Sequence, residues 1–209
     1  MINFASGKDR YGRARIEQDE AIIAAGCFWC TEAIFRRLIG VTQVEVGFTG
    51  GSLPEPTYKQ VCHGQTGHTE AIRITYDPKK ISYWDILEIF WRAHDPTTLN
   101  RQGEDIGEQY RSAIFYLNPK QQQIALKSKE LIEQSGIFSD PIVTEILPAT
   151  IFYPAKEEYH QNYYENNTDR GYCIFSIAPK INKIHNLFEK KIKPEYQNLE
   201  NENRTQETL

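Results

Sequence analysis

The sequence lacks a basic segment, a long apolar run and an internal repeat, and each absence excludes a class of protein. Its 209 residues carry a net charge of -4 and a pI near 5.8, with basic residues scattered along the chain. Nucleic-acid binding is therefore not expected, because such proteins cluster lysine and arginine on one surface. No stretch has the pattern of a signal peptide or a membrane span. We expect a monomeric, cytoplasmic protein that binds neither nucleic acid nor membrane.

Cysteine is also scarce, with four residues in the whole chain. In the reducing cytosol, cysteines are catalytic, metal-binding or incidental more often than they form structural disulfides. A zinc-binding module is one alternative. Cys27 and Cys30 form one CxxC pair, but Cys62 and Cys173 lie too far apart in the sequence to supply the second pair of a structural zinc site. We therefore expect no metal.

The stretch around Cys27 predicts a strand, a turn and a helix in that order. An apolar run at 21–25 precedes Gly26, and apolar residues such as Ile34 and Leu38 then recur at four-residue spacing. Cys27 is thus expected at the start of a helix, where free N–H groups and the helix dipole favour an anion. This position predicts a lowered thiol pKa and a nucleophilic cysteine.

Phe28 and Trp29 add an apolar wall beside this sulfur. Such a wall suits a small apolar group, for example a methyl group. The alternative is that Cys27 is a buried, inert thiol and that the two aromatic side chains belong to the core, because free cysteine is among the most buried residue types.

Glu70 begins an alternating segment in which it shares one face of a strand with Ile72, Ile74 and Tyr76. That face is expected to be buried, and burial raises the pKa of a carboxyl group. A carboxyl group with a raised pKa donates a proton at neutral pH. The alternative is a glutamate at the end of the strand, exposed to water.

Strand and helix patterns alternate along the chain, which predicts an α+β fold. We expect a two-layer α/β sandwich with a mixed central sheet, ferredoxin-like in topology, followed by a long C-terminal coil. The expected boundaries are an N-terminal extension over 1–18, one domain over 19–193 and a disordered tail over 194–209. The segment around Cys173 has little periodicity and is expected to be a loop.

The chain resembles the A type of peptide methionine sulfoxide reductase from about residue 21 to residue 173. The resemblance implies the two-layer sandwich and an enzyme that reduces the S epimer of methionine sulfoxide, in proteins and as the free amino acid. It implies no cofactor, with thioredoxin or another dithiol as external reductant. The motifs that carry it are Gly26-Cys27-Phe28-Trp29, Pro56-Thr57-Tyr58, Gly67-His68-Thr69-Glu70, His94-Asp95-Pro96-Thr97-Thr98, Asn100-Arg101-Gln102-Gly103, Gln109-Tyr110-Arg111-Ser112 and Tyr159-His160-Gln161.

The same resemblance implies a role for each matching residue of the site. Cys27 is the nucleophile that attacks the sulfoxide sulfur, and Phe28 and Trp29 hold the S-methyl group. Because a sulfoxide oxygen leaves only when it is protonated, an acid with hydrogen-bonding partners must lie beside it. The residues matching that acid, its two partners and a further acidic position that orders the site are Glu70, Tyr58, Tyr110 and Asp105.

Position 30 departs from the family pattern, because many members have glycine where this chain has Cys30. Cys173 matches the cysteine that resolves the sulfenic acid in related proteins, and we favour it as the first resolving thiol. Cys30, three residues from Cys27, is a competitor or a relay. A general dithiol oxidoreductase that uses only Cys27 and Cys30 is the rival interpretation, but it leaves Glu70 without a role.

Overall fold

A six-stranded mixed sheet forms the centre of the protein in a computed structural model that describes residues 18–197. The sheet has the order β7-β6-β1-β3-β2-β8, and β4 and β5 form a separate two-stranded hairpin. Only the β6–β7 pairing is parallel; the other neighbours in the sheet are antiparallel. The strands are β1 (Asp19–Ala25), β2 (Val41–Thr49), β3 (Thr69–Tyr76), β4 (Arg101–Gln102), β5 (Asp105–Ile106), β6 (Ser112–Tyr116), β7 (Glu145–Pro148) and β8 (Tyr153–Pro154).

Seven α-helices lie within the described part of the chain. None of them is long and apolar enough to cross a membrane. The helices are α1 (Phe28–Arg36), α2 (Tyr58–Cys62), α3 (Tyr83–Ala93), α4 (Pro119–Gln134), α5 (Tyr163–Asn166), α6 (Ala178–Phe188) and α7 (Pro194–Gln197).

The main core lies between the helices and one face of the sheet. Ile23, Ile72 and Ile114 come from three adjacent strands and are fully buried in this core together with Phe35 of α1 and Phe90 of α3. The opposite face of the sheet carries a smaller cluster, and the segment from β7 to β8 covers it with Leu147, Ala149 and Phe152. The expected mixed α/β fold with a mixed central sheet is confirmed.

Local sequence signals place several helix boundaries correctly. Thr57 and Ser82 each form a capping box, in which the side chain of the cap and the side chain three residues later bond to each other's backbone N–H groups. Pro119 predicts the first turn of a helix that runs to about Gln134, and α4 begins at Pro119, where the missing N–H costs nothing, and ends at Gln134.

The spacing of Ile181, Ile184 and Phe188 predicts a last helix, and α6 contains all three, whereas the expected C-terminal coil is not confirmed because α7 lies at its start. The expected loop around Cys173 is wrong: a π-helical turn, Cys173–Ile177, leads directly into α6. Pro179 explains the irregular turn, because it has no N–H and its ring clashes with the carbonyl four residues earlier, that of Phe175. The expected tail begins with α7, and its remainder, 198–209, lies outside the described residues, as does most of the expected N-terminal extension.

The sequence predicts a helix that is opened by Pro154 and Ala155 and carries Tyr159, His160, Tyr163 and Tyr164, and the structure differs from this prediction. Pro154 belongs to β8, a 3₁₀ turn spans Glu158–His160, and Asn162 adopts a left-handed backbone conformation with a φ of 57°. A single helix cannot pass through such a residue. The side chain of Gln161 instead bonds to the backbone N–H and C=O of Val46 at the edge of the sheet.

Candidate active site

Cys27 lies in the turn between β1 and α1, buried at the N-terminus of the helix. Gly26 makes this turn possible because its φ is +85° and because a Cβ atom there would lie 2.5 Å from Cγ of Gln102. The carbonyl of Cys27 accepts a hydrogen bond from the N–H of Cys30 at 3.1 Å and one from Oγ1 of Thr31 at 3.2 Å. Hydrogen bonds from the first turn of α1 therefore fix the backbone of Cys27 on its C-terminal side, and the turn at Gly26 fixes it on its N-terminal side.

Glu70 lies at the start of β3 and is 1% exposed. Its Oε2 accepts a hydrogen bond from the backbone N–H of Phe28 at 3.0 Å, which puts the carboxyl group at the N-terminus of α1 beside Cys27. Burial raises the pKa of Glu70 to about 8, and the nearby charge of Asp105 adds to the effect. The expected burial of this glutamate and its raised pKa are confirmed.

The thiol of Cys27 differs from the sequence-based expectation. Burial raises its pKa well above the ordinary value, and the neighbouring Cys30 and Glu70 add to the rise. The expectation of a lowered pKa is wrong because the N–H group of Phe28 at the start of α1 already donates to Glu70, and because burial of the sulfur disfavours the charged form. At neutral pH the resting site thus holds a protonated thiol beside a protonated carboxyl group.

Aromatic rings enclose the space next to this pair. The ring of Trp29 stacks on that of Tyr163 with a centroid distance of 3.8 Å, and the ring of Phe28 lies 6.3 Å from that of Tyr58. His160 is fully buried, with its ring 4.3 Å from Tyr58. These side chains form one aromatic cluster, and the role of Phe28 and Trp29 as an apolar wall for a methyl group stays a prediction.

The hydroxyl groups of Tyr58 and Tyr110 stay protonated in this environment. Burial raises the pKa of each phenol, and the charge of Glu70 raises it further. A phenol that keeps its proton remains a hydrogen-bond donor. Both tyrosines are influenced by the charge of Glu70, so the structure brings them to the site with it.

A second cluster surrounds Cys30, the third residue of α1. The hydroxyl of Tyr172 donates a hydrogen bond to Oδ2 of Asp105 at 3.0 Å and lies 3.8 Å from Sγ of Cys30. Nζ of Lys180 lies 3.6 Å from the same sulfur. The hydrogen bond from Cys27, together with Lys180 and Tyr172, lowers the pKa of Cys30 to about 7 despite burial. Cys30 is therefore the more acidic of the two neighbouring thiols.

Cys173 is fully buried in the π-helical turn directly after Tyr172. Burial raises the pKa of this thiol, and the charge of Cys30 raises it further. All four cysteines are free thiols. Among residues 18–197, no group of three or more histidine, cysteine, aspartate or glutamate side chains is placed to hold a metal ion.

The family model for peptide methionine sulfoxide reductases matches residues 19–192. The chain belongs to this family. The reductase is 54% identical over 179 residues to the peptide methionine sulfoxide reductase MsrA of Deinococcus radiodurans, covering 84% of this chain and 85% of the relative. It is 50% identical to MsrA 1 of Rhodopirellula baltica, covering 87% of this chain and 93% of the relative.

The fold of the reductase is also similar to that of a solved structure. The reduced form of Mxr1 from Saccharomyces cerevisiae superposes with a TM-score of 0.70 at 33% identity, covering 82% of this chain and 95% of Mxr1. Membership of the family makes this chain an oxidoreductase that reduces methionine sulfoxide.

The structure adds residues to the reductase site that the sequence analysis did not assign. Tyr163 and Lys180 come from helices distant in the sequence, and no local pattern marks them. Glu32 is a buried charge in α1, and its Oε1 accepts a hydrogen bond from the N–H of Asn162 at 2.8 Å. Glu32 also forms an ion pair with Arg36 at 3.0 Å, so it links α1 to the segment before α5 and does not contact the thiols.

Proposed function

We propose that this reductase acts on the S epimer of methionine sulfoxide, both in proteins and as the free amino acid. The observation that carries the proposal is the hydrogen bond from the N–H of Phe28 to the buried carboxyl group of Glu70. It supports the proposal because it holds the carboxyl group at the start of α1, where Glu70 would act as proton donor to a sulfoxide whose S-methyl group contacts Phe28 and Trp29. The sulfur of methionine sulfoxide is chiral. Only one of its two epimers can direct its oxygen towards Glu70 and its methyl group towards the aromatic side chains at the same time.

The proposed reaction begins with attack of the Cys27 sulfur on the sulfoxide sulfur. Glu70 donates its proton to the sulfoxide oxygen, and the proton of the Cys27 thiol restores the Glu70 carboxyl group. The oxygen then passes to Cys27 as a sulfenic acid, and methionine leaves. Tyr58 and Tyr110 donate hydrogen bonds to the oxygen as negative charge develops on it, and Asp105 orders the site by accepting from Tyr172.

We propose that one of two nearby thiols, Cys173 or Cys30, then forms a disulfide with Cys27 and releases water. An external dithiol such as thioredoxin reduces this disulfide by thiol exchange. The support for thioredoxin is the yeast relative Mxr1, for which a structure in complex with Trx2 exists. No metal or organic cofactor takes part in these steps.

The organisation of the chain belongs to the same proposal. We propose 19–193 as the catalytic domain of a monomer that works in the cytoplasm, where dithiol reductants are available. The order β6-β1-β3-β2, with α1 and α3 as crossovers, supports a ferredoxin-like core.

Stereospecificity tests this proposal directly. With racemic methionine sulfoxide and excess dithiol, the enzyme should consume half of the substrate and leave the R epimer intact. Chiral chromatography of the remaining sulfoxide provides the measurement. Cys27→Ser should abolish consumption, because a serine hydroxyl is not a comparable nucleophile at neutral pH. Complete consumption of the racemate, or activity in Cys27→Ser, would contradict the proposal and favour a general dithiol oxidoreductase.

A further inference from the structure

Lys180 is the cation that lies against Cys30, and the reaction described above assigns it no role. It reaches the site from α6, 150 residues away in the sequence, and its Nζ lies 3.6 Å from Sγ of Cys30. The hydroxyl of Tyr172 approaches the same sulfur at 3.8 Å and is itself held by Asp105. A buried sulfur beside the ammonium group of Lys180 is arranged to carry a negative charge, whereas the single hydroxyl proton of Tyr172 is donated to Asp105.

The position of Cys30 in the helix adds to this arrangement. Cys30 is the third residue of α1, within the first turn, where backbone N–H groups point towards the N-terminus and the helix dipole favours an anion. Cys27 forms a hydrogen bond to it and has a raised pKa, whereas the pKa of Cys30 is lowered to about 7. A single negative charge shared by the two thiols therefore resides on Cys30.

We propose that Lys180 is a positioning residue that keeps Cys30 as a thiolate, so that Cys30, and not Cys173, is the first thiol to attack the sulfenic acid on Cys27. This inference rests on the proposed function, because it requires that Cys27 becomes a sulfenic acid. Cys173 lies in a helical turn and has a raised pKa. It is therefore the slower nucleophile in the resting fold.

The proposed step forms one S–S bond, breaks one S–O bond and releases water. The Cys30 thiolate attacks the sulfur of the Cys27 sulfenic acid, the S–S bond forms and the S–O bond breaks. Cys30 is oxidised and the sulfenic sulfur is reduced, and the departing hydroxide takes the proton of Glu70 and leaves as water. The Cys173 thiol then attacks the Cys27 sulfur of this disulfide, a new S–S bond forms, the bond to Cys30 breaks, and the proton of Cys173 passes to the expelled Cys30 sulfur, which leaves readily because its pKa is the lower one.

The charge on Cys30 depends on every titratable group that faces it. Glu70 from β3 disfavours the thiolate, and Lys180 from α6 favours it. Removing the lysine charge should therefore shift the titration of Cys30 upwards without touching the chemistry at Cys27. The remaining groups that face Cys30 are Cys27, Tyr172 and Cys173.

The test compares Lys180→Met with Lys180→Arg in the full-length chain. Lys183→Met, an exposed lysine of the same helix, is the matched control. The rate of Cys30 alkylation by iodoacetamide is measured against pH by peptide mass spectrometry. In Lys180→Met the midpoint should rise by about one pH unit, which lowers the thiolate fraction at pH 7 about fivefold. Lys180→Arg and Lys183→Met should titrate like the parent.

A single-turnover experiment checks the order of the thiols. After one equivalent of methionine sulfoxide, rapid quenching and disulfide mapping should show the Cys27–Cys30 disulfide before any bond to Cys173. Its formation should be about fivefold slower at pH 7 in Lys180→Met, and the difference should vanish near pH 9.5. Lys180→Gln serves as a second neutral variant if the methionine variant does not fold.

Any of three results would overturn the inference. One is an unchanged titration midpoint of Cys30 in the folded neutral variants. Another is a Cys27–Cys173 disulfide at the earliest time points with Cys30 still free. The third is an equal rate in Cys30→Ser. Failure of the proposed function would look different, because no methionine would be released in the first turnover.

Discussion

Glu70 and Cys27 owe their chemistry to burial more than to residue type. A glutamate in water has lost its proton at neutral pH, whereas desolvation raises the pKa of Glu70 to about 8 and keeps the proton in place. The same desolvation keeps Cys27 protonated. The resting pair thus stores the nucleophile and the proton that the sulfoxide oxygen requires.

Glu70→Gln tests the acid at this scale. The variant keeps the hydrogen bond from Phe28 but has no proton to give, so turnover should fall about 10²–10⁴-fold at pH 7. The rate of methionine release is the measurement. Glu20→Gln, an exposed glutamate on β1, is the matched control and should keep the parental rate. A Glu70→Gln rate within about twofold of the parent would remove Glu70 as the acid.

Gly26 can be tested by comparison with Gly136. Both have a positive φ, but a Cβ at Gly26 would collide with Gln102, whereas nothing lies within 4 Å of a Cβ at Gly136. Gly136→Ala should therefore cost about 1 kcal/mol from backbone strain alone, and Gly26→Ala about 1–3 kcal/mol more from overpacking. Urea unfolding measures both. Equal losses would show that the contact with Gln102 relaxes freely.

At the scale of elements, the continuous helix from the π-helical turn into α6 carries Cys173 and also two of the residues that surround Cys30. Its first part carries Tyr172 and Cys173, and its second part carries Lys180. A π-helical turn inserts an extra residue and so changes which side chains face the site. The register of this helix therefore decides that Tyr172 and Lys180 approach Cys30 together.

Pro179→Ala should change that register. An alanine restores the N–H that a regular helix requires and removes the clash with the carbonyl of Phe175. The turn should become α-helical and rotate Tyr172 away from Asp105. We expect thioredoxin-limited turnover to fall about tenfold, and by more than the rate of release of the first methionine, because small misplacements of reacting groups are costly.

Stopped-flow measurement of burst and steady state separates the two phases of this prediction. Pro194→Ala, at the first position of α7, is the control, since proline is tolerated there without disturbing the helix. Unchanged steady-state turnover in Pro179→Ala would show that the π-helical turn does not set the position of the recycling thiols.

At the scale of the whole molecule, the sheet brings the site together. β1 and β3 are neighbours and antiparallel, so the end of β1, before Cys27, lies beside the start of β3, where Glu70 is located. Thr69 next to Glu70 donates a hydrogen bond to the carbonyl of Gln109, which fixes the turn that carries Tyr110. Cys27, Glu70 and Tyr110, each about 40 residues from the next, therefore meet because of the order of the strands in the sheet.

The burial of Glu70 also has a cost in global stability that depends on pH. Because its folded pKa of about 8 lies above the ordinary value of 4.5, the folded state binds more protons than the unfolded state between these values. The contribution of Glu70 is fully present below pH 4.5 and is lost as pH rises to about 8. Glu70→Gln has no such loss.

The stability of Glu70→Gln relative to the parent should therefore grow with pH. The upper limit is about 1.4 kcal/mol per pH unit, and the growth should stop above pH 8. Urea unfolding of both proteins between pH 5 and 9 measures the difference. Other titrating groups, such as the buried His94 and the thiols, are present in both proteins, so their contributions to the free energy of unfolding largely cancel. A constant difference across this range would mean that Glu70 titrates normally in the folded protein.

The sequence by itself determined the elements and the residue types of the site. Periodicity predicts β1 and α1, capping residues mark the starts of α2, α3 and α4, and the motifs around Cys27 and Glu70 indicate the chemistry, because these signals are local. Only the tertiary structure decided which thiol is charged. Burial raises the pKa of Cys27, and α6 places Lys180 against Cys30, and neither effect is written in a short stretch of sequence, since both depend on contacts between distant segments.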